Sequence, residues 1–96
     1  MRVSNEFLIT VPSGFTPNSD GWNDFLRPLS NEPITFTLMV FNRWGEKIFE
    51  GDRMPGWDGT YKREPQPMGT YVYVIEYRRL LNNTKGYLTG NVTLIR

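Results

Sequence analysis

Hydrophobic and polar residues alternate with a period of two along several stretches of this chain. The clearest is residues 34–42, where one face carries Ile34, Phe36, Leu38 and Val40. In residues 69–79 one face carries Tyr71, Tyr73, Ile75 and Tyr77. Residues 87–95 alternate likewise, and residues 5–12 and 46–51 are shorter examples. Because successive side chains of a strand point to opposite faces, the pattern predicts a strand in each stretch.

Turn signals separate these stretches, and no segment has the 3.6-residue period of an amphipathic helix. Nine Gly and seven Pro residues interrupt the chain, which disfavours helices of any length. Residues 42–45 have Asn first and Gly fourth, the preference of a type I turn. Asp58-Gly59 and residues 67–69 are further turn signals. Residues 80–86 favour a hairpin between the last two strands, because Asn82 and Asn83 tolerate a left-handed backbone.

The chain has the size of one ordinary domain. Its 96 residues are enough for a single hydrophobic core and too few for two. Together with the turn spacing, this predicts one all-β domain over residues 1–96, an antiparallel sandwich of two sheets with about seven short strands. The last strand, which ends near Arg96, is expected to pair with the strand over residues 71–77.

Composition excludes several classes of partner. The net charge is +1 and the chain has no basic block longer than a pair such as Arg78-Arg79, so nucleic acid binding is not expected. The chain has no Cys, which excludes disulfides and thiolate metal sites. No apolar run reaches the roughly 20 residues of a membrane span. The N-terminus has no signal-peptide pattern, which suggests a domain taken from a longer protein.

Catalysis is not expected from these residues. The chain has neither His nor Cys, so it lacks the usual general base, the common metal ligand and a thiol nucleophile. Paired carboxylates would suffice for glycoside hydrolysis. However, the acids lie in predicted turns and at strand ends, where a solvated surface charge is the simpler interpretation: Glu46, Glu50, Asp52, Asp58 and Glu64. We therefore predict that the domain is not an enzyme.

Residues 18–24 form the best candidate ion site. Asn18, Asp20 and Asp24 have the spacing of a short calcium loop, and the Trp22 carbonyl is a fourth oxygen. Calcium takes six to eight oxygens, so these ligands alone would bind it weakly. The alternative is a backbone turn, in which the Asn and Asp side chains accept from backbone N–H groups and Gly21 takes a positive φ. The sequence leaves both alternatives open.

The three tryptophans also have two interpretations. Trp22, Trp44 and Trp57 each lie beside Gly or within one residue of it. Aromatic residues on loops can stack on sugars or form a protein-binding surface, whereas buried ones would close the ends of a sandwich. Exposed tryptophans with a structural calcium would suit an alternative function, an adhesion or carbohydrate-binding module.

Five motifs occur in a fixed order along the chain. They are "FTPNSDGWNDFLRP", "TLMVFNRWGEKIFEG", "GWDGTY", "PMGTYVYVIEY" and, at the end, "GYLTGNVTLIR". In this order they resemble the gliding-motility-associated C-terminal domain, also called the type B sorting domain of the type IX secretion system of Bacteroidetes. Ser19 and Trp22 depart from the common form of the first motif, which has Gly and a small aliphatic residue there.

The resemblance implies a non-enzymatic, immunoglobulin-like sandwich at the end of a secreted or cell-surface protein. Such a domain directs the preceding cargo across the outer membrane, and its partner is a translocon protein. Carried over as motif positions are Phe15, Thr16, Pro17, Asn18, Asp20, Gly21, Asn23, Asp24, Asn42, Arg43, Trp44, Gly45, Trp57, Asp58, Gly59, Gly69, Tyr71, Gly90, Val92 and Thr93.

We hypothesise that the translocon recognises the folded domain through its loops. The predicted surface combines the 18–24 loop with two turns, made of Asn42, Arg43, Trp44 and Gly45 and of Trp57, Asp58 and Gly59. Arg43 and Trp44 are the expected anchors, because Arg and Trp are enriched at binding hot spots. A second route is pairing by the edge of the terminal strand, from Leu88 to Ile95.

Overall fold

A computed structural model describes residues 6–18, 21 and 24–96, and every regular element in them is a strand. The strands are β1 (Ile9–Thr10), β2 (Gly14–Phe15), β3 (Leu29–Ser30), β4 (Ile34–Phe41), β5 (Lys47–Gly51), β6 (Thr60–Tyr61), β7 (Glu64–Pro65), β8 (Gly69–Arg79) and β9 (Lys85–Leu94). The described part of the chain holds no helix that could span a membrane. The all-β prediction is confirmed.

One sheet of five strands dominates the structure, in the order β2-β9-β8-β4-β5. β8 is its central strand and pairs antiparallel with β4 and with β9. β5 continues antiparallel beyond β4, with a register shift between Val40 and Phe41. β2 runs parallel to the end of β9, and two small sheets, β1-β3 and β6-β7, complete the fold. The predicted pairing of the last strand with residues 71–77 is confirmed.

The long alternating stretches and the shorter stretch over residues 46–51 form strands as predicted, whereas the stretch over residues 5–12 differs. β8 occupies all of residues 69–79, whereas the strand predicted over residues 5–12 is reduced to Ile9–Thr10. The described residues form nine strands, more than the seven expected, because β2, β3, β6 and β7 are two-residue pairings without a local alternating pattern. The hairpin over residues 80–86 is confirmed, with Asn83 at a φ of 59°.

The inner face of the main sheet carries the hydrophobic core. Tyr71 and Ile75 on β8 are buried, and Tyr73 and Tyr77 are half-buried, as the alternation predicted. The ten buried core residues are Phe15, Leu26, Leu38, Val40, Ile48, Trp57, Tyr71, Ile75, Val92 and Leu94. On the opposite face of the sheet Val72 and Glu76 are exposed and Val74 is half-buried. The core therefore lies on one side of the sheet.

Trp57 enters this core from a segment outside the main sheet. An isolated bridge holds its backbone, in which the N–H of Leu26 donates to the Trp57 carbonyl (2.8 Å) and the N–H of Trp57 to the Leu26 carbonyl (3.0 Å). The indole packs against Phe15, with 5.4 Å between ring centroids, and edge-on against Tyr71, at 5.2 Å. Its Nε1–H donates to the Thr60 carbonyl. The indole is thus completely buried with its only polar group satisfied.

The domain has two distinct ends along the central strand. At one end of β8, the Arg79 guanidinium lies 4.4 Å from the ring centroid of Phe7. At the other end, Tyr71 lies beside the 42–45 turn that follows β4. With about 3.3 Å per residue, Tyr71 and Arg79 are roughly 26 Å apart along the strand. The first described residues and the 42–45 turn therefore lie at opposite ends.

An ion pair between Glu32 and Arg79 stabilises the end of the domain near Phe7. Arg79 Nε and Nη2 donate to Glu32 Oε1 and Oε2, at 2.7 and 2.9 Å. These hydrogen bonds, opposed by burial and assisted by the charge of Arg79, lower the pKa of Glu32 below its ordinary value of 4.5. A bidentate pair of this kind is stronger and more directional than a single surface contact.

This pair makes the stability of the domain depend on pH. Because the folded state favours ionised Glu32, its stabilisation is complete above the ordinary glutamate pKa and is lost as pH falls through the lowered folded value. We expect Glu32→Gln to lower the free energy of unfolding at neutral pH, and the difference from the unaltered domain to shrink in acid. Urea denaturation of both proteins across this pH range measures it, and a difference that is constant with pH would contradict the assignment.

Candidate functional site

The 42–45 turn is a hydrogen-bonded structure organised by one side chain. The N–H of Gly45 donates to the Asn42 carbonyl (3.0 Å), which confirms the predicted turn. Asn42 Oδ1 accepts from the N–H groups of Trp44 (2.9 Å) and Glu46 (3.0 Å), and Asn42 Nδ2 donates to Glu46 Oε1. Gly45 has a φ of 79°, a left-handed conformation that suits glycine. The turn therefore holds Arg43 and Trp44 on a defined backbone.

Trp44 projects from this turn into solvent. Its residue exposure is 79%, although a tryptophan normally stabilises a fold by being buried. The Arg43 guanidinium lies 5.1 Å from the Trp44 ring centroid, a cation–π distance that restricts the indole. Trp44 therefore contributes little to the core and presents a large aromatic surface to solvent.

A groove beside Trp44 is completed by the segment that precedes β8. Its wall consists of Gln66, Pro67, Met68, Gly69, Thr70 and Tyr71. Met68 is 58% exposed and extends the apolar surface of Trp44. We call Arg43, Trp44, Pro67 and Met68 the tip surface. The sequence marked residues 67–69 only as a turn, so Pro67 and Met68 were not among the predicted binding residues, although they line this groove.

Tyr71 fixes the floor of this groove. Its hydroxyl donates a hydrogen bond to the Pro67 carbonyl, four residues upstream. Burial raises the pKa of Tyr71, and the positive charges of Arg96 and Arg43 oppose part of that rise. The hydroxyl therefore remains protonated at neutral pH and holds the segment over residues 67–71 in place.

The turn at residues 57–59 supports the groove from beneath. Trp57 is buried, so it cannot itself contact a partner in the folded domain. The exposed Asp58 accepts from the N–H and the hydroxyl of Thr60 through Oδ1, at 3.1 and 2.7 Å. The Gly59 carbonyl accepts from the Gln66 N–H and from Arg96 Nη2, at 2.8 and 3.0 Å. These contacts tie the turn to the groove wall and to Arg96.

The loop over residues 18–24 is described only in part. The Asp24 carboxylate accepts from the N–H groups of Asn18 (3.2 Å) and Gly21 (2.8 Å), and Gly21 has a φ of 86°. These are the contacts expected of a backbone turn. Asp20 and Trp22 lie outside the described residues. No group of three or more acidic side chains converges within the described ranges, and calcium at this loop stays a prediction.

These features define a class of protein, a small all-β domain with a hydrogen-bonded turn that exposes a tryptophan. Residues 9–89 match the CHU_C Type IX secretion signal domain. The match covers more than half of the chain, so the chain belongs to this family, and the resemblance carried by the five motifs is confirmed. Comparison with curated proteins and with solved structures gave no match.

Membership of this family states what the domain does in general terms. A secretion signal domain is a sorting tag and not a catalytic domain. It marks the protein that carries it for export across the outer membrane, to the cell surface or the medium. It acts with the type IX secretion system on cargo that precedes it.

Proposed function

We propose that the domain is recognised in its folded state, by docking of the tip surface on a protein component of the type IX translocon. The observation that carries the proposal is the 79% exposure of Trp44 on a turn fixed by Asn42. A surface that is already ordered loses little conformational entropy on binding, which favours affinity. Aromatic and Arg anchors of this type supply most of the free energy at protein interfaces.

The position of the tip surface suits a tag that is read independently of its cargo. The cargo precedes Phe7, which packs at the Arg79 end of β8, whereas Trp44 lies at the opposite end. A folded cargo domain is therefore held away from the docking surface. In this proposal Trp57, Asp58 and Gly59 act as structural support for the groove, and Arg43 and Trp44 contact the partner.

Within the all-β class, we propose an immunoglobulin-like sandwich as the fold. Two observations support it. The order β9-β8-β4-β5 corresponds to the G-F-C-C′ order of a variable-type sheet. The hydrogen bond from Tyr71, near the start of β8, back to Pro67 has the geometry of the tyrosine corner found in such sandwiches. The small sheets β1-β3 and β6-β7 would represent parts of the second layer.

The first test is secretion of a reporter. The domain is fused behind a signal peptide and a fluorescent protein in a type IX-competent host, with a secretion-deficient strain as control. We expect Arg43→Ala and Trp44→Ala each to lower the reporter outside the cells about tenfold or more, because hot-spot residues contribute about 2 kcal/mol or more. The purified variants should unfold within about 0.5 kcal/mol of the unaltered domain, as surface changes usually do.

Two matched controls separate the tip surface from general surface effects. Leu81 is 73% exposed in the 80–86 hairpin and the Arg53 side chain is 87% exposed, and both lie outside the tip surface. Leu81→Ala and Arg53→Ala should be exported normally. Normal export of Arg43→Ala and Trp44→Ala would reject the tip surface as the recognition site, and loss of export only through unfolding would make the motif structural.

A further inference from the structure

One edge of the main sheet is open over most of its length. β9 is ten residues long, but β2 pairs only with Thr93 and Leu94. No strand of the described chain pairs with the outer side of residues 85–91. This segment contains no Pro and no register shift, which are common means of blocking an edge. The sequence placed this pairing from Leu88 to Ile95. Because β2 covers the end of that stretch, the open edge is shifted to residues 85–91.

The backbone groups that face this edge are defined by the ladder. The N–H groups of Thr93 and Ile95 donate to carbonyls of Ser13 and Phe15, away from β8. Since hydrogen-bonding direction alternates along a strand, Tyr87, Thr89 and Asn91 also direct their N–H and C=O groups outward. These residues present a regular row of donors and acceptors that matches another extended backbone.

The inner face beside this edge has gaps at two glycines. The Tyr77 and Tyr73 rings lie over Gly86 and Gly90, so closely that a Cβ on either glycine would lie within 2.6 Å of a tyrosine hydroxyl oxygen. Both rings are half-buried. A side chain on an added strand beside Gly86 or Gly90 would therefore contact a tyrosine ring directly, and a side chain between them would contact Leu88.

We propose that the open edge of β9 binds an extended segment of a partner protein, which adds to the main sheet as a further strand. Its inward side chains are apolar at three alternate positions, beside Gly86, Leu88 and Gly90. A carboxylate on its outer face lies near Lys85, which is opposite Arg78 in the sheet. Backbone hydrogen bonds supply affinity in this mode of recognition, and the alternate side chains supply specificity.

A second copy of this chain fits the edge less well. Antiparallel self-pairing that uses all of residues 85–91 places Gly86 opposite Gly90 of the other copy, so no side chain would cover the tyrosine rings. Two folded domains that meet only at their edges also bury less than the roughly 1,200 Å² of a stable interface. An extended segment, in contrast, places side chains on both faces of the sheet.

The test removes outward-facing N–H groups of β9 and leaves the hydrogen bonds between β8 and β9 intact. Export of the reporter is the measured quantity, so the test rests on the proposed function. Proline lacks the N–H and is tolerated at a sheet edge. Tyr87→Pro and Asn91→Pro are each compared with the matched Tyr87→Ala and Asn91→Ala, which keep the N–H. We expect each proline variant to lower export about tenfold, because one hydrogen bond is lost and its partner is left unsatisfied. Each alanine variant keeps the N–H and should be exported about tenfold more than its proline counterpart.

The outcomes separate the two proposals. Absence of export for the unaltered domain contradicts the proposed function, whereas equal export of proline and alanine variants, with both folded, overturns only the edge proposal. Hydrogen exchange on the unaltered domain needs no variant: the amides of Tyr87, Thr89 and Asn91 should exchange much faster than those of Leu88 and Gly90. Slow exchange of the outward amides would show a covered edge and overturn the proposal, as would sedimentation showing a dimer that Asn91→Pro dissociates.

Discussion

Replacement of Trp57 by alanine is expected to lower the free energy of unfolding by about 3–5 kcal/mol, the usual cost of removing a large aromatic side chain from a core. The indole is the largest fully buried side chain of the described residues. It contacts the rings of Phe15 and Tyr71 and satisfies its own N–H at Thr60. A domain of this size is stable by only about 5–15 kcal/mol, so the variant loses a large share of the total.

The matched control for this prediction is Trp44→Ala, because the same side chain is removed from an exposed site. We expect it to change the free energy of unfolding by less than about 0.5 kcal/mol. Urea denaturation followed by far-ultraviolet circular dichroism measures both, independently of the tryptophan signal that each variant loses. Equal destabilisation by the two substitutions would contradict the assignment of Trp57 to the core and Trp44 to the surface.

Gly56→Ala should have an effect of comparable size for a different reason. Gly56 has a φ of 103°, and a Cβ there would lie 2.2 Å from the Leu26 carbonyl oxygen. That oxygen accepts the N–H of Trp57, so the methyl group would push apart the bridge that brings Trp57 into the core. A non-glycine residue at such a φ costs about 1–2 kcal/mol, and forced repacking adds about 1–3 kcal/mol.

Gly45→Ala separates these two contributions. Gly45 also has a positive φ, of 79°, but a Cβ there meets no atom within 4 Å. Its cost should therefore be the conformational one alone, about 1–2 kcal/mol. Calorimetry or urea denaturation of the two alanine variants checks the difference. If Gly45→Ala proves as destabilising as Gly56→Ala, the close approach of Leu26 to Gly56 is not what limits substitution there.

The features that could be predicted from the sequence are those specified locally. β4 and β8 carry their own alternating pattern, and the 42–45 turn carries its own Asn and Gly. The stretch over residues 5–12 also alternates, yet only Ile9–Thr10 forms a strand. The backbone just before this strand is hydrogen-bonded instead by the Asn31 side chain, which accepts from the Leu8 N–H and donates to the Glu6 carbonyl. A side chain that substitutes for a strand leaves no periodic signal.

The candidate site shows the same division. Arg43 and Trp44 were predicted as anchors because Arg and Trp are enriched at binding hot spots, and the Asn and Gly of the turn that carries them are local signals. Trp57 has a similar local setting, beside Gly56, and only its bridge to Leu26, far earlier in the chain, determines that it is buried. Pro67 and Met68 join the tip surface because β8 lies beside β4 in the sheet. Contacts of this kind depend on the topology, which residue spacing alone does not determine.

The distance between Phe7 and the 42–45 turn also weakens electrostatic interactions between the two ends of the domain. Along β8, Tyr71 and Arg79 are roughly 26 Å apart, about three times the Debye length of roughly 8 Å at physiological ionic strength. Charges carried by a passenger that precedes Phe7 are therefore screened before their field reaches Arg43. The electrostatic potential at the tip surface should therefore be the same for acidic and for basic cargo. One sorting domain can then act on proteins of very different isoelectric point.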